Sequence, residues 1–374
     1  MNILISTQNF PPSAGGIQNY VYELALALHH RGAVVEVLCD APKHEGQIAF
    51  DENLPIKVER VSGIKWFRRR KKAKRVEQWL KQPGQDKVLL CDSWKSLELI
   101  NDSGLENCIV ACLAHGMEFP AQPSPKRLER ISAALQKADL VLANSSFTAE
   151  RVKPFSPPKN SLQILLPGVS LPEPASTQDR DWAQNLTAEK SPVLITVGRL
   201  EQRKGQDKII EIMPRVLQDY PDAVYLVAGS GPTEEALKEQ VENLDLGKSV
   251  IFCGRVNDSQ KSALLERSDL FLMPCRAVGD SVEGFGLVYL EAAMFGKASL
   301  AGRVGGAVDA VLDGETGLLC DGDNPIDVER VLRKMLSDPD ACRELGQRAK
   351  VRAEQQFLWR NVAENILNLI NRVK

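Results

Sequence analysis

The sequence predicts an α/β protein of two domains, each built around its own parallel sheet. The chain has 374 residues, more than one hydrophobic core usually holds. In both halves, apolar runs of strand length alternate with segments of helical periodicity. Between residues 154 and 192 prolines are frequent and this alternation is interrupted. We therefore place the hinge between the domains in this segment.

The first domain begins with a strand, a glycine loop, a helix and a second strand. Residues 2–7 form an apolar run, and a loop containing Gly15 and Gly16 follows it. The helix is predicted from residue 17 to residue 30, because its apolar positions recur at the spacing of one helical face. Later strands are predicted at 34–38, 87–91, 109–113 and 139–143.

The second domain repeats the alternation. Strands are predicted at 193–197, 223–228, 249–252, 269–273 and 297–301, and helices at 206–219, 232–243, 258–267 and 285–296. Residues 323–374 are predicted to be mostly helical. Both halves are thus expected to be Rossmann-like, doubly wound sheets, which bind ligands beyond the carboxyl ends of their strands. We expect the loops of both domains to face one interdomain cleft.

Composition and charge exclude several classes of function. The formal net charge of -2 gives no overall attraction to nucleic acid. The eight cysteines form no Cys-x-x-Cys pair and the four histidines are not clustered, so no bound metal is expected. The start of the sequence lacks signal-peptide features and no apolar run is long enough to span a membrane, so a cytoplasmic location is expected. Neither the dinucleotide Gly-x-Gly-x-x-Gly pattern nor a P-loop is present.

The most informative loop is Gly198-Arg-Leu-Glu-Gln-Arg-Lys-Gly205, between a predicted strand and a predicted helix. Arg199 and Lys204 supply two cations that match the charge of a diphosphate. Such cations stabilise a phosphate leaving group while its bond to a sugar breaks. The alternative is a solvated basic loop without a ligand.

A second cluster runs from Glu283 to Glu291 across a glycine-rich turn into a helix. Gly284, Phe285 and Gly286 are placed to offer free amide N–H groups at the helix N-terminus, where anions bind. One carboxylate is suited to sugar hydroxyls and the other to ribose hydroxyls. The alternatives are a helix cap with a partly buried acid, or an acid/base pair of the glycosidase type.

Two weaker signals lie in the first domain. His115 follows a predicted strand, where a lone histidine is more often structural than functional. Gly15 and Gly16 allow a backbone to approach a phosphate closely, although a pair of glycines also serves as a simple turn.

Residues 65–80 combine a dense basic run with apolar side chains. On a helix one face carries the apolar positions Trp66, Ala73, Val76 and Leu80. Such a helix suits an anionic membrane surface or an anionic acceptor. The alternative is a core-packed helix with a solvated basic face.

Taken in this order, the motifs resemble those of the retaining GT-B glycosyltransferases of family 4. The bacterial phosphatidylinositol mannosyltransferase subgroup is the most similar. The similarity covers nearly the whole chain. It rests on Pro11-Pro12, Gly15-Gly16-Ile17, His115-Gly-Met-Glu118, Asn144-Ser-Ser-Phe147, Pro167-Gly-Val169, the Arg199/Lys204 loop, Val227-Ala-Gly-Ser-Gly-Pro232, Met273-Pro-Cys-Arg276, Glu283 to Glu291, and Gly314-Glu-Thr-Gly317.

This resemblance implies an acceptor domain at 1–168, a donor domain at 169–355 and a final helix at 356–374 that crosses back to the first domain. The implied donor-binding residues are Gly15, Gly16, Gly198, Arg199, Lys204, Gly284, Phe285, Gly286, Leu287 and Glu291. The implied catalytic residues are His115, Arg199, Lys204 and Glu283. In the implied mechanism the substitution occurs on the front face with retention, the leaving phosphate accepts the acceptor proton, and no divalent metal takes part.

The resulting hypothesis is transfer of a hexose from a nucleotide sugar to a lipid-linked or surface-glycan acceptor at the inner membrane face. GDP-mannose is the first candidate by resemblance, and UDP-glucose and UDP-N-acetylglucosamine remain open. A non-hydrolysing sugar-nucleotide epimerase, a phosphorylase and a noncatalytic nucleotide-sugar-binding module are the alternatives. The subgroup's glycine-rich insertion is shortened here to residues 277–282, and nothing in the first domain identifies inositol as the acceptor.

Overall fold

The computed structural model describes residues 1–13, 15–42, 47–158 and 161–373. Of the four histidines, His44 lies outside these residues. The chain forms two compact units. The first consists of residues 1–168 together with the C-terminal residues from Leu358 onward, and the second of Val169–Phe357.

In the first unit, seven parallel strands form one sheet within the described residues. The strands are β1 (Asn2–Ser6), β2 (Val34–Asp40), β3 (Lys57–Val61), β4 (Lys87–Cys91), β5 (Ile109–Ala114), β6 (Leu140–Ala143) and β7 (Leu162–Ile164). Their order is β3-β2-β1-β4-β5-β6-β7. The strand order reverses beside β1, so the ligand-binding position of this sheet is expected beyond the ends of β1 and β4.

In the second unit, six parallel strands form a sheet in the described part of the chain. These are β8 (Val193–Val197), β9 (Val224–Ala228), β10 (Val250–Gly254), β11 (Leu270–Met273), β12 (Ala298–Gly302) and β13 (Gly317–Cys320). Their order is β10-β9-β8-β11-β12-β13, which places the reversal between β8 and β11. The prediction of two doubly wound parallel sheets is confirmed.

The helices lie on both faces of these sheets, as parallel connections require. Among the described residues, six helices belong to the first unit: α1 (Gly16–His30), α2 (Gln47–Glu52), α3 (Lys65–Lys81), α4 (Trp94–Leu97), α5 (Pro125–Leu135) and α6 (Ser146–Val152). Eight described helices follow in the second: α7 (Thr177–Thr187), α8 (Gln206–Asp219), α9 (Glu234–Asn243), α10 (Asp258–Arg267), α11 (Leu287–Met294), α12 (Ala307–Ala310), α13 (Pro325–Ser337) and α14 (Pro339–Arg352). The last helix, α15 (Trp359–Val373), belongs to the first unit.

Short tighter or wider turns complete the structure. The chain as described contains 3₁₀ turns at Leu105–Asn107, Lys153–Phe155 and Gln202–Lys204 and a π turn at Ala353–Phe357. Within the described residues no helix is both long and apolar enough to cross a membrane.

Helix α15 completes the core of the first unit. Its residues Val362, Ala363 and Ile366 are at most 1% exposed and share a cluster with Leu24 and Leu28 of α1. Parallel sheets need cover on both faces. Because α15 covers one face beside α1, the C-terminal residues belong to the first unit although they are last in the chain.

The proline-rich segment contains more regular structure than its composition predicts. Helix α7 forms there because Ser176 caps its N-terminus by accepting from the Asp179 amide. Only Ala183 and Thr187 of this helix are fully buried. So narrow an apolar stripe leaves little helical periodicity to detect in the sequence.

We predict that Ile366→Ala, at a fully buried position of α15, lowers the free energy of unfolding by about 2–5 kcal/mol through lost burial and a cavity. The exposed neighbour Asn365 provides the control, since Asn365→Ala removes no buried contact. Denaturant unfolding of both variants measures the difference. Equal stabilities would show that α15 is not part of the core.

Candidate functional site

The basic loop of the second unit lies between β8 and α8. After β8 the chain passes through the 3₁₀ turn Gln202–Lys204 and reaches Gly205, whose φ of 81° lies in the left-handed region. A Cβ at Gly205 would also clash with the carbonyl oxygen of Pro274. Glycine at this position therefore allows the turn that carries Lys204 inward, where it is only 8% exposed.

Lys204 and Glu283 are in direct contact. The Lys204 Nζ lies 2.5 Å from the Glu283 Oε2, and the Arg203 Nη1 lies 2.6 Å from the same oxygen. Glu283 itself is 8% exposed. The structure thus brings together two residues 79 positions apart in sequence, from the two segments that the sequence singled out in this domain.

Electrostatics hold Glu283 in its charged form. Burial by itself would raise the pKa of this carboxyl group. The charges of Lys204 and Arg203, together with their hydrogen bonds, outweigh burial and lower the pKa below its ordinary value. Burial opposes the charge of Arg203 as well, but the Glu283 and Glu201 carboxylates raise its pKa. The result is a charged network at the end of β8.

Arg199 and Arg203 occupy different positions in this network. Arg199 has a 73% exposed side chain and pairs with Glu201 at 3.1 Å. Arg203 bridges Glu201, at 2.8 Å, and Glu283. Arg203 was not predicted from the sequence to have a role in the site. Its position next to Lys204 was the one signal in the sequence. The direction of its side chain toward Glu283 depends on the 3₁₀ turn, which the sequence did not predict.

The glycine-rich turn after Glu283 offers an anion site. Helix α11 begins at Leu287, and in the described chain the amide N–H groups of Phe285, Gly286 and Leu287 have no hydrogen-bond acceptor. Three such groups at a helix start attract an anion. They begin two residues after Glu283, so the amides and the ion pair lie at the same turn of the chain.

Glu291 has its own cation. Lys261 of α10 lies 2.9 Å from the Glu291 Oε1 and 3.0 Å from Asp258. Burial lowers the pKa of Lys261, but the two carboxylates outweigh burial and raise it. Glu291 is 30% exposed, unlike the buried Glu283. The two glutamates therefore lie in different environments, with separate partners.

In the first unit, His115 lies just beyond the end of β5. Its Nε2 is 3.1 Å from the carbonyl oxygen of Asp92. Because a carbonyl oxygen only accepts, Nε2 carries a proton in this contact. The ring packs edge-on against Tyr20, with centroids 5.2 Å apart. The orientation of His115 is thus fixed by β4, β5 and α1 together.

The loop after β1 is held by buried charges that the sequence analysis did not identify. The Asp92 carboxylate accepts from the Thr7 hydroxyl at 2.7 Å and from the Gln8 amide at 3.0 Å. Lys72 is 3% exposed and donates to the Thr7 carbonyl at 2.6 Å. Its second partner is Asp40, at 2.7 Å. These contacts fix the backbone at the strand-order reversal of this sheet.

Helix α3 differs in one respect from the amphipathic helix that was predicted. Ala73, Val76 and Leu80 are buried as expected, but Trp66 is 54% exposed, so its placement on the packed face was wrong. Trp66 lies in the first turn of the helix. The packed face contains Lys72 instead.

Gly15 precedes α1 and Gly16 is its first residue. Both are exposed. Gly198 follows β8 directly. Their predicted roles in donor binding remain predictions, as do those of the other site residues. In the part of the chain that is described, no group of three or more His, Cys, Asp or Glu side chains is arranged to hold a metal ion.

The Glu283 network generates a prediction on pH dependence. A carboxyl group whose pKa is lowered in the folded state contributes stability above its unfolded pKa of about 4, and this contribution is lost as the pH falls through the lower folded pKa. We expect Glu283→Gln to be less stable than the wild type at pH 7. The gap in stability should begin to narrow below pH ~4, where the unfolded wild type takes up a proton on this carboxyl group, and should close once the pH falls below the lower folded pKa. Thermal unfolding of both proteins across this range measures the gap, and a constant gap would contradict the network.

Two protein-family models match this chain. Residues 14–172 match the family model described as Glycosyltransferase Family 4, and residues 177–352 match the model described as Glycosyl transferases group 1. A Mycolicibacterium smegmatis protein named GDP-mannose-dependent alpha-(1-6)-phosphatidylinositol monomannoside mannosyltransferase is 28% identical, over 99% of this chain and 98% of its own.

Two further similarities support the same assignment. A Corynebacterium glutamicum protein named GDP-mannose-dependent monoacylated alpha-(1-6)-phosphatidylinositol monomannoside mannosyltransferase is also 28% identical, over 98% of this chain and 97% of its own. The crystal structure of Anabaena HepE in complex with UDP has the same fold, with a TM-score of 0.81, 21% identity and full coverage of both chains. The chain therefore belongs to the GT-B glycosyltransferases, with a family 4 domain followed by a group 1 domain.

Proposed function

We propose that this glycosyltransferase transfers mannose from GDP-mannose, with retention of configuration, to a phosphatidylinositol-type lipid acceptor. The single observation that carries the proposal is the Lys204–Glu283 contact beside the free amides of residues 285–287. The mannosyltransferase names of the two 28% identical relatives support the choice of donor and acceptor.

The second unit contains groups of the two kinds that a nucleotide sugar requires. A sugar diphosphate needs fixed positive charge at the phosphates and an acceptor for sugar hydroxyls. Lys204 and the amides at the start of α11 provide the positive charge, and the ionised Glu283 provides the acceptor. We assign Arg199, which is exposed and close to this network, to the outer part of the diphosphate. Glu291 is assigned to the ribose.

The proposed reaction uses these charges on the leaving group. As the bond between the anomeric carbon and the phosphate oxygen breaks, negative charge grows on that oxygen, and Lys204 and the amides stabilise it. The acceptor hydroxyl attacks the same face of the sugar and its proton passes to the departing phosphate. Cations of the protein thereby take the role that a divalent metal has elsewhere, and we propose a metal-independent reaction. His115 is assigned to the sugar being transferred.

The acceptor places the reaction at a membrane. A phosphatidylinositol-type acceptor stays in the lipid bilayer, so we propose that the protein works as a peripheral enzyme on the cytoplasmic face. The basic helix α3, with its exposed aromatic first turn, supports contact with an anionic surface.

We expect GDP and GDP-mannose to raise the melting temperature in the presence of a chelator, because a ligand that binds only the folded state stabilises it. UDP, ADP and their hexose conjugates should give smaller shifts. A selective shift with UDP would move the donor assignment to a uridine sugar. No shift with any nucleotide would refute the proposal and favour a noncatalytic module without a nucleotide ligand.

Lys204→Ala should weaken GDP binding about 10- to 100-fold, since a charge-assisted hydrogen bond is worth about 1.5–3 kcal/mol. Lys238→Ala is the matched control, because Lys238 lies on α9 outside the proposed site, with a 41% exposed side chain that pairs with Glu234 and Glu235. Titration calorimetry with GDP compares the two. Equal affinities would show that Lys204 does not contact the diphosphate.

Glu283→Ala should abolish mannose transfer while GDP binds at least as tightly as to the wild type. The carboxylate is proposed to bind the sugar, and its removal also frees Lys204 for phosphate. Transfer of labelled mannose to a phosphatidylinositol acceptor and calorimetry with GDP test the two halves separately. Wild-type turnover would exclude Glu283 from the site. Formation of an epimerised nucleotide sugar without transfer would favour the epimerase alternative.

A further inference from the structure

The first unit contains a pocket of about 440 Å³ that is lined largely by positive charge. It lies at the carboxyl edge of the sheet, where residues that follow β1, β4 and β5 meet the first turns of α3. Its six cationic side chains are Lys65, Arg69, Lys95, Lys126, Arg127 and Arg130. None of the groups assigned to the donor lies in this pocket.

The charge of the pocket is only partly neutralised. Glu98 pairs with Arg69 at 2.6 Å and with Arg130 at 2.6 Å. In the part of the chain that the structure describes, Lys65, Lys95, Lys126 and Arg127 form no ion pair with a carboxylate. Burial lowers the pKa of Lys95, and three neighbouring cations of the pocket lower it further, although Glu118 opposes them. Positive charge is therefore in excess here without a ligand.

Hydrogen-bond donors are also in excess. Trp94, which is 2% exposed, lines the pocket, and its indole N–H has no acceptor in the described chain. The buried Nε of Arg69, another lining residue, likewise has none. Both atoms are buried behind the pocket surface, so they add to its electropositive wall without contacting a ligand directly. The cationic side chains that line the pocket supply the charged donors that a phosphate group requires.

An apolar surface adjoins the pocket. Ile64, Trp66 and Phe67 flank Lys65 in the chain and are 69%, 54% and 53% exposed. The two aromatic rings contact each other at 4.7 Å, and the guanidinium of Arg70 stacks on Trp66 at 3.8 Å. Aromatic side chains beside basic ones are typical of surfaces that lie at the interface of a bilayer.

The pocket also adjoins the residues that hold His115 within the first unit. Gln8 and Trp94 line it. Asp92 directly follows β4. Its carboxylate accepts from the Gln8 amide, and its carbonyl oxygen contacts the His115 ring. Asp92 therefore connects the wall of the pocket at Gln8 to His115, which we assigned to the sugar.

We infer that this pocket binds the phosphate ester of the acceptor, with Ile64, Trp66 and Phe67 in contact with the lipid that bears it. The inference rests on the proposed function, because it assumes that the acceptor is a phosphate-bearing molecule. It adds the residues that select such an acceptor, which are Lys65, Lys95, Lys126 and Arg127. They lie beside the Arg69–Glu98–Arg130 ion pairs in the same pocket.

The test compares two double variants that remove equal charge. Lys65→Ala/Lys126→Ala removes two pocket lysines, whereas Lys71→Ala/Lys74→Ala removes two exposed lysines of α3 that lie outside the pocket. Co-sedimentation measures binding of each full-length protein to phosphatidylcholine vesicles with and without phosphatidylinositol. A diffuse attraction to the anionic surface would weaken both variants alike, by about 5-fold per lysine at most.

We expect the pocket variant to bind phosphatidylinositol vesicles at least 10-fold more weakly than the control variant.

A second experiment uses sn-glycerol 3-phosphate, which should raise the melting temperature of the wild type and the control variant but not of the pocket variant. Trp66→Ala/Phe67→Ala should lose vesicle binding and keep the shift with glycerol phosphate if the acceptor is a lipid. If it keeps both, the phosphate ester comes from a soluble acceptor.

Equal behaviour of the pocket and control variants in both arms would overturn the inference. Stabilisation by GDP serves as the reference in every variant, because the donor groups lie in the second unit. A pocket variant that responds to GDP but not to the phosphate ester supports the acceptor site. If the wild type fails to respond to GDP, the proposed function fails, and that failure is separate from the outcome for the pocket.

Discussion

The structure of the candidate site depends on one buried carboxylate between two cations. Moving the charge of Glu283 out of water costs several kcal/mol, and only close opposite charges with good hydrogen bonds offset this cost. Lys204 and Arg203 meet the requirement only if the 3₁₀ turn after β8 and the turn before α11 approach each other closely. A third segment, the turn after β12, also packs against Glu283: the Gly306 amide donates to the Glu283 carbonyl at 2.9 Å, and a Cβ at Gly305 would clash with the same oxygen.

Because Glu283 has two cationic partners, it keeps one of them when a bound phosphate attracts the other. If Lys204 were the only partner, an incoming phosphate that attracted it would leave Glu283 buried and uncompensated, at a cost of about 3–5 kcal/mol. Arg203 removes this conflict, since it stays within 2.6 Å of Glu283 and is itself held by Glu201. Lys204 can then be shared with a phosphate while Glu283 remains ionised and able to accept from sugar hydroxyls.

The sequence predicted the strands of both sheets well because a strand buried on both faces is a continuous apolar run. The strands at 87–91 and 193–197 were predicted with their observed bounds. The edge strand β3, Lys57-Val-Glu-Arg-Val61, was missed because it is mostly half-exposed and its polar residues obscure the pattern. In the site, the sequence identified Lys204 and Glu283 by residue type. It could not separate the roles of Arg199 and Arg203, because side-chain direction within an irregular turn depends on tertiary contacts.

The pocket of the first unit is stabilised in the same way as the Glu283 network. Glu98 is shared by Arg69 and Arg130, and Asp40 by Arg68 and Lys72, as Glu283 is by Arg203 and Lys204. Burial would raise the pKa of Glu98, but its two arginines outweigh it and lower the pKa. A cluster of cations without any carboxylate would repel itself in the unliganded protein, whereas one carboxylate for each cation would leave no charge for a ligand. Glu98 satisfies both conditions, because it pairs with Arg69 and Arg130 and leaves the other four cations of the pocket without a carboxylate partner in the described residues. It fixes part of the geometry of the pocket before binding and keeps a net positive charge for an anion.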